Sequence, residues 1–124
     1  MNEGSSNLVI EMAKTVVDLV RVIEPNWEKA FFRYESDGSY DSASGSYLKG
    51  GDATIFDVLA HRSTFTKLKG CGGKLRDALE KDGVKFVVCL LTVDSSFHFD
   101  VTYEYEKVDR WKISKTAGGS GLPE

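Results

Sequence analysis

Cysteine, proline and histidine each occur only twice, and no apolar stretch approaches the roughly 18 residues that a membrane-crossing helix needs. Cys71 and Cys89 belong to no CxxC pair or larger framework, so neither a disulfide-built fold nor a structural zinc site is expected. Cys89 stands in an apolar run, where a free thiol behaves as a small hydrophobe. His61 and His98 form no HxxxH or HExxH motif, and the serine-rich stretch 39–48 carries no GxSxG elbow. No metal, cofactor or serine-hydrolase centre is therefore predicted. An excess of one charge is missing too: 16 Lys and Arg face 19 Asp and Glu, a formal net charge of −3. That balance gives no global drive toward nucleic acid or anionic membrane, and direct binding to either is not expected. The start, MNEGSSNLVIEM, lacks a basic region followed by an apolar run and a small-residue cleavage site, which makes the cytoplasm the expected location.

What is present, 124 residues of which 41% are hydrophobic and 28% charged, suffices for one compact core and not for two. We read residues 1–115 as a single domain and 116–124, TAGGSGLPE, as a flexible tail of linker composition. The strongest strand signal lies at 84–105, VKFVVCLLTVDSSFHFDVTYEY, and reads as a β-hairpin. Its first arm, Val84 to Val93, is almost continuously apolar and suits a strand buried on both faces. The second arm alternates, with Phe97, Phe99, Val101, Tyr103 and Tyr105 on one side and His98, Asp100, Thr102, Glu104 and Glu106 on the other.

Upstream, Leu8, Val9, Met12, Val16, Leu19, Val20 and Ile23 recur at helical spacing. Ser6 or Asn7 is placed to cap this helix and Pro25 to end it, giving a span of about 6–24. Trp27 is expected to be buried, KAFFRYE at 29–35 to be a strand, and Ser36-Asp37-Gly38-Ser39 to turn it into a returning arm at 39–48. Serines and Gly45 make that arm a weak strand, expected at a sheet edge. Lys49-Gly50-Gly51-Asp52 reads as a loop, followed by a short apolar turn or helix at 55–59. Phe65, Leu68, Cys71, Leu75, Ala78 and Leu79 predict a second helix up to Lys81. Gly70, Gly72 and Gly73 predict a break in it, each interior glycine costing about 1 kcal/mol against alanine, and leave a solid segment over 74–81. The resulting fold class is α+β, an antiparallel sheet of about four strands with two main helices, in the order α-β-β-α-β-β.

Gly70-Cys71-Gly72-Gly73-Lys74 resembles a phosphate-binding loop only superficially, because the spacing is too short, Leu75 replaces the required Ser or Thr, and no strand precedes it. His61 and His98 would make an acid and base pair of the ribonuclease kind if one pocket held both. The acids carry a different reading. From Asp94 to Arg110 five acids (Asp94, Asp100, Glu104, Glu106, Asp109) stand against Lys107 and Arg110, while Glu35, Asp37 and Asp41 cluster at the other hairpin. Such a surface is either an ordinary solvated strand face or a place that attracts a basic partner. Asp94, His98, Asp100 and Glu104, with Glu35, Asp37 and Asp41 as a second cluster, are the candidate contact residues. A homodimeric module joined through the apolar arm or the Ser-rich strand is a third reading, so monomer and dimer both stay open.

FVVCLLTVDSSFHFDVTYEYE, residues 86–106, resembles the C-terminal hairpin of the YezG-like immunity proteins, an apolar strand with a Thr-x-Asp-Ser turn leading into an alternating aromatic and acidic strand. The likeness extends to the N-terminal helix ending near Pro25-Asn26-Trp27-Glu28 and to the strand with Tyr34 before an Asp-Gly turn, and departs at 49–82, where this chain is basic and glycine-rich. It implies a cytoplasmic antitoxin with no catalytic role, whose partner is a cognate secreted toxin domain, often a nuclease, met through carboxylates and exposed aromatics.

Overall fold

The computed structural model describes residues 3–124. Its first helix, α1 (Glu3–Ile23), buries Val9, Met12, Ala13, Val16, Val17 and Val20. The helix begins one turn earlier than expected, so Ser6 and Asn7 lie inside it instead of capping it. It ends where Pro25 requires, the amide of Glu24 making its last bond to the Val20 carbonyl at 2.8 Å. Trp27, 6% exposed, then anchors the turn into the sheet.

Strand β1 (Lys29–Ser36) pairs antiparallel with β2 (Asp41–Lys49), and β2 turns back at Gly50-Gly51 into β3 (Asp52–Ile55). Both glycines take positive φ, 57° and 85°, which side chains disfavour. Helix α2 (Arg62–Glu80) follows, then β4 (Val88–Asp94) and β5 (Phe99–Glu104). The sheet is entirely antiparallel and five-stranded, in the order β3-β2-β1-β4-β5.

The α+β class and the two helices stand as expected, with one strand more than the sequence reading and the order α-β-β-β-α-β-β. The added strand, β3, lies where a loop and an apolar turn were expected, and it removes β2 from the edge. Serine and glycine suit an interior β2 here because its neighbours are large. A Cβ on Gly45 would lie 2.6 Å from the Phe31 carbonyl oxygen and 2.8 Å from the Phe56 ring. The expected break in α2 is also corrected. The helix runs through Gly70, Gly72 and Gly73 because Gly72 packs directly on the ring of Tyr34, where a Cβ would come within 2.6 Å. Helix packing on the sheet outweighs the entropic cost of the glycines.

Both helices cover one face, where Phe32, Tyr34, Leu68, Leu75, Phe86 and Leu91 are fully enclosed. The apolar arm is interior as expected, flanked by β1 and β5, though its strand starts only at Val88. The other face of the sheet is covered in part by the chain after β5. Arg33, 4% exposed, donates to the carbonyls of Val108 and Arg110, and Gly121 lies against Ala53 of β3. Residues 116–124, expected as a flexible tail, are folded back here: Gly121 donates to the Ser114 carbonyl at 2.9 Å and Glu124 to the Lys112 carbonyl at 3.4 Å. No helix among the described residues is long and apolar enough to cross a membrane.

Candidate functional site

Directly paired residues in an antiparallel sheet share a face, so the register sorts the candidate acids. Glu35 pairs with Val88, which pairs with Glu104; Phe31 pairs with Thr92, which pairs with Asp100; Lys29 pairs with Asp94. Glu35, Asp94, Asp100 and Glu104 therefore lie on one face, the one away from the helices. The alternation read from the second arm also holds, since Val101 and Tyr103 pack against the core on the opposite side. Asp41 falls elsewhere. It pairs with Ser36 on the helix-covered face, where the Tyr34 hydroxyl donates to it at 3.0 Å and Lys69 approaches to 3.5 Å. Asp37 occupies the β1–β2 turn. The expected second cluster is thus divided, and only Glu35 joins the main row.

Most of these carboxylates already hold the fold. Asp94 closes the β4–β5 turn, accepting from the amides of Ser96 at 2.9 Å and His98 at 3.0 Å, with the His98 ring Nδ1 at 3.3 Å. The His98 amide, more than any other neighbour, holds its carboxyl below the ordinary range. Glu104 accepts from the amides of Glu106 and Lys107 at 3.1 and 3.2 Å, contacts that depress its pKa, and has Arg110 at 3.7 Å. For Glu35, burial pushes the pKa up, but the Arg33 guanidinium and the Tyr40 hydroxyl outweigh burial and hold it low. Asp37 is held low by the Ser39 amide and hydroxyl, both at 2.8 Å, and by the Tyr40 amide.

Asp100 differs. It is exposed, and among the described residues its carboxylate has no hydrogen bond or ion pair; the same is true of Glu106 and Asp109 just beyond the strand. His98 stands at the turn with its side chain 83% exposed. The same end of the sheet also exposes aromatic surface, with Phe99 on the face opposite Asp100: Phe97 and Phe99, each 37% exposed and edge-to-face at 5.6 Å, and Tyr105 at 53%. The alternation alone places these three with the buried set. They remain exposed because β5 is the last strand, and Phe97 adopts a positive φ of 63° in the turn.

The structure does not bring His61 and His98 together. His61 stands at the N-cap of α2, after the chain has left β3, whereas His98 lies in the turn that leads into β5, the edge strand on the other side of the sheet. An open depression of about 250 Å³ between α2 and β2, lined by Asp41, Ser42, Arg62, Phe65 and Lys69, contains neither histidine. Among the described residues, no group of three or more His, Cys, Asp or Glu side chains is placed to hold a metal ion. Both surfaces considered for a homodimer, the apolar arm and the Ser-rich strand, are interior strands of the sheet.

The residue that the sequence reading passed over is Arg33. Its position on β1 in KAFFRYE, between Phe32 and Tyr34, gave no sign that it is a buried clamp for the segment after β5. No family model matches the chain, and no curated protein sequence matches it.

Proposed function

We propose that the protein is an immunity protein that binds a cognate toxin domain of nuclease type and blocks it, with no catalytic role of its own, in the cytoplasm of the cell it protects. The observation that carries this reading is the end of the sheet at β5. There the carboxylates of Asp100, Glu106 and Asp109 are exposed and unpaired, and the rings of Phe99, on the opposite face of the same edge strand, and of Tyr105, just after it, are exposed as well. Carboxylates in that state compete with phosphate for a basic nuclease cleft and speed encounter, while the aromatic rings supply apolar anchors. Asp94, His98, Glu104 and Glu35 contribute by shaping this face and adding to its field. Asp37 and Asp41 lie to its side and beneath it.

The test is co-expression with the product of the gene immediately upstream, followed by co-purification and an assay of survival. Complex formation and rescue are expected; two separate proteins and no rescue refute the reading. Asp100→Lys together with Glu106→Lys reverses two charges without touching a structural contact, and is expected to slow association by about tenfold or more at low salt. Glu104 is left intact in this variant because it caps the turn after β5.

A further inference from the structure

The outer side of β5 is an open sheet edge. β4 pairs with its inner side, and no strand among the described residues pairs beyond it. The Asp94 amide bonds the His98 carbonyl at 2.9 Å, and bonded pairs in an antiparallel ladder recur at every second residue. The backbone groups of Asp100 and Thr102 therefore point into the ladder, while those of Phe99 and Val101 point away from it. No turn or loop bond takes them up.

Folded proteins ordinarily shield such an edge with lysine, proline, a bulge or a covering segment. The sequence FDVTYE contains neither lysine nor proline, and its only charges are acidic. A second copy of β5 is a poor occupant: antiparallel pairing about Thr102 sets Asp100 against Glu104. A strand of opposite charge is a good one. Asp100 asks for a cation on the outer face. Phe99 and Val101, flanked by Phe97 and Tyr105, ask for apolar side chains on the helix face.

We propose that the β5 edge is a docking site for an extended segment of a basic partner in which cationic and apolar residues alternate, added to the sheet through the outward backbone groups of Phe99 and Val101. Main-chain bonds then give affinity, and the two-residue alternation gives specificity. The inference rests on the reading that this acidic end meets a basic partner, and not on that partner being a toxin.

The intact protein is titrated with a short synthetic peptide alternating Lys and Val, and in parallel with one alternating Glu and Val, while amide hydrogen exchange is followed by NMR. The Lys/Val peptide is expected to slow exchange at the Phe99 and Val101 amides by about tenfold or more, and the Glu/Val peptide to leave them unchanged. Val101→Pro removes an amide that faces away from β4, so the ladder keeps its bonds and the protection at Phe99 disappears. Asp100→Lys leaves the backbone edge intact and transfers the preference to the Glu/Val peptide. Unprotected amides, or equal protection by both peptides, overturn the proposal. Toxin rescue without protection of these amides removes the edge alone; protection without rescue removes the toxin reading alone.

Discussion

Arg33 shows how one side chain ties two parts of the chain together. A guanidinium that is 4% exposed has lost most of its hydration, a cost met only when charge and hydrogen bonds replace the water. Here Glu35, two residues along the same strand, supplies the charge, and the carbonyls of Val108 and Arg110 supply acceptors from the far end of the sequence. Replacing it by methionine keeps the aliphatic stem but leaves the half-buried Glu35 carboxylate without its cation, hydrogen-bonded by the Tyr40 hydroxyl alone, and takes the Arg33 donors from both carbonyls. Arg33→Met is expected to lower stability by about 3 kcal/mol, read from the urea midpoint, and to speed amide exchange first in 108–112. A midpoint within experimental error of the parent would show that the clamp is dispensable. The acids show what a sequence reveals at this scale and what it hides. Strand alternation was enough to put Asp100 and Glu104 on one face. Which of them is engaged depended on a guanidinium and on turn amides whose positions no spacing rule contains.

Helix α2 carries the clearest contrast between local propensity and packing. Gly70 and Gly72 are equal by propensity, and each weakens an isolated helix by about 1 kcal/mol relative to alanine. In the fold they differ. A Cβ on Gly70 meets nothing within 4 Å, while one on Gly72 comes within 2.6 Å of the Tyr34 ring, itself fixed in the core and hydrogen-bonded to Asp41. Gly70→Ala is therefore expected to raise stability by about 0.5–1 kcal/mol, and Gly72→Ala to lower it by about 1–3 kcal/mol, both read by thermal or urea unfolding. Equal effects of the two would mean that the contact with Tyr34 does not govern the helix. The same opposition explains the elements that the sequence reading misplaced. The periodicity of Leu68, Cys71, Leu75 and Leu79 was legible, but among the glycines that interrupt it Gly72 is the position that admits the Tyr34 ring. The strand β3 has only four residues, too few for an alternation to register, and its glycine turn reads equally well as a loop. With β3 unseen, β2 had no outer neighbour and became an edge by default. In contrast β4, five of whose seven residues are buried, was visible because a strand enclosed on both faces needs an unbroken apolar run.

At the scale of the whole molecule, the helices shield one side of the sheet and the returning chain part of the other, so the ionisable groups that hold the fold divide into two sets with opposite pH responses. Asp94, Glu104, Glu35 and Asp37 are carboxylates whose pKa values fall on folding, from ordinary values of 3.8 for aspartate and 4.5 for glutamate. A group whose pKa is lower in the folded chain contributes stability above its unfolded pKa and loses that contribution as the pH falls through its folded one. Tyr34 and Tyr103, pushed up to about 12 chiefly by burial, behave in the opposite sense. Their contribution is complete below the ordinary tyrosine value of 10.0 and is lost as the pH rises through about 12. Stability is thus expected to be level between about pH 5 and pH 8, to fall below pH 4.5 as the first set protonates, and to fall again above about pH 9, where the Cys89 thiol, raised by burial from 9.0 to about 12, joins the tyrosines. The two limbs begin in different places. Asp94 closes the β4–β5 turn, Glu104 the turn after β5, and Glu35 the clamp on Arg33, so acid loosens the open end of the sheet and the chain that folds over it. Alkali acts on Tyr34, beneath α2 in the centre of the core. Melting temperature against pH gives the two limbs, and amide exchange at pH 4 gives the location. Asp94→Asn keeps the shape of the turn and removes one titrating group, and is expected to flatten the acid limb while leaving the alkaline limb in place; an unchanged acid limb would exclude Asp94 from it.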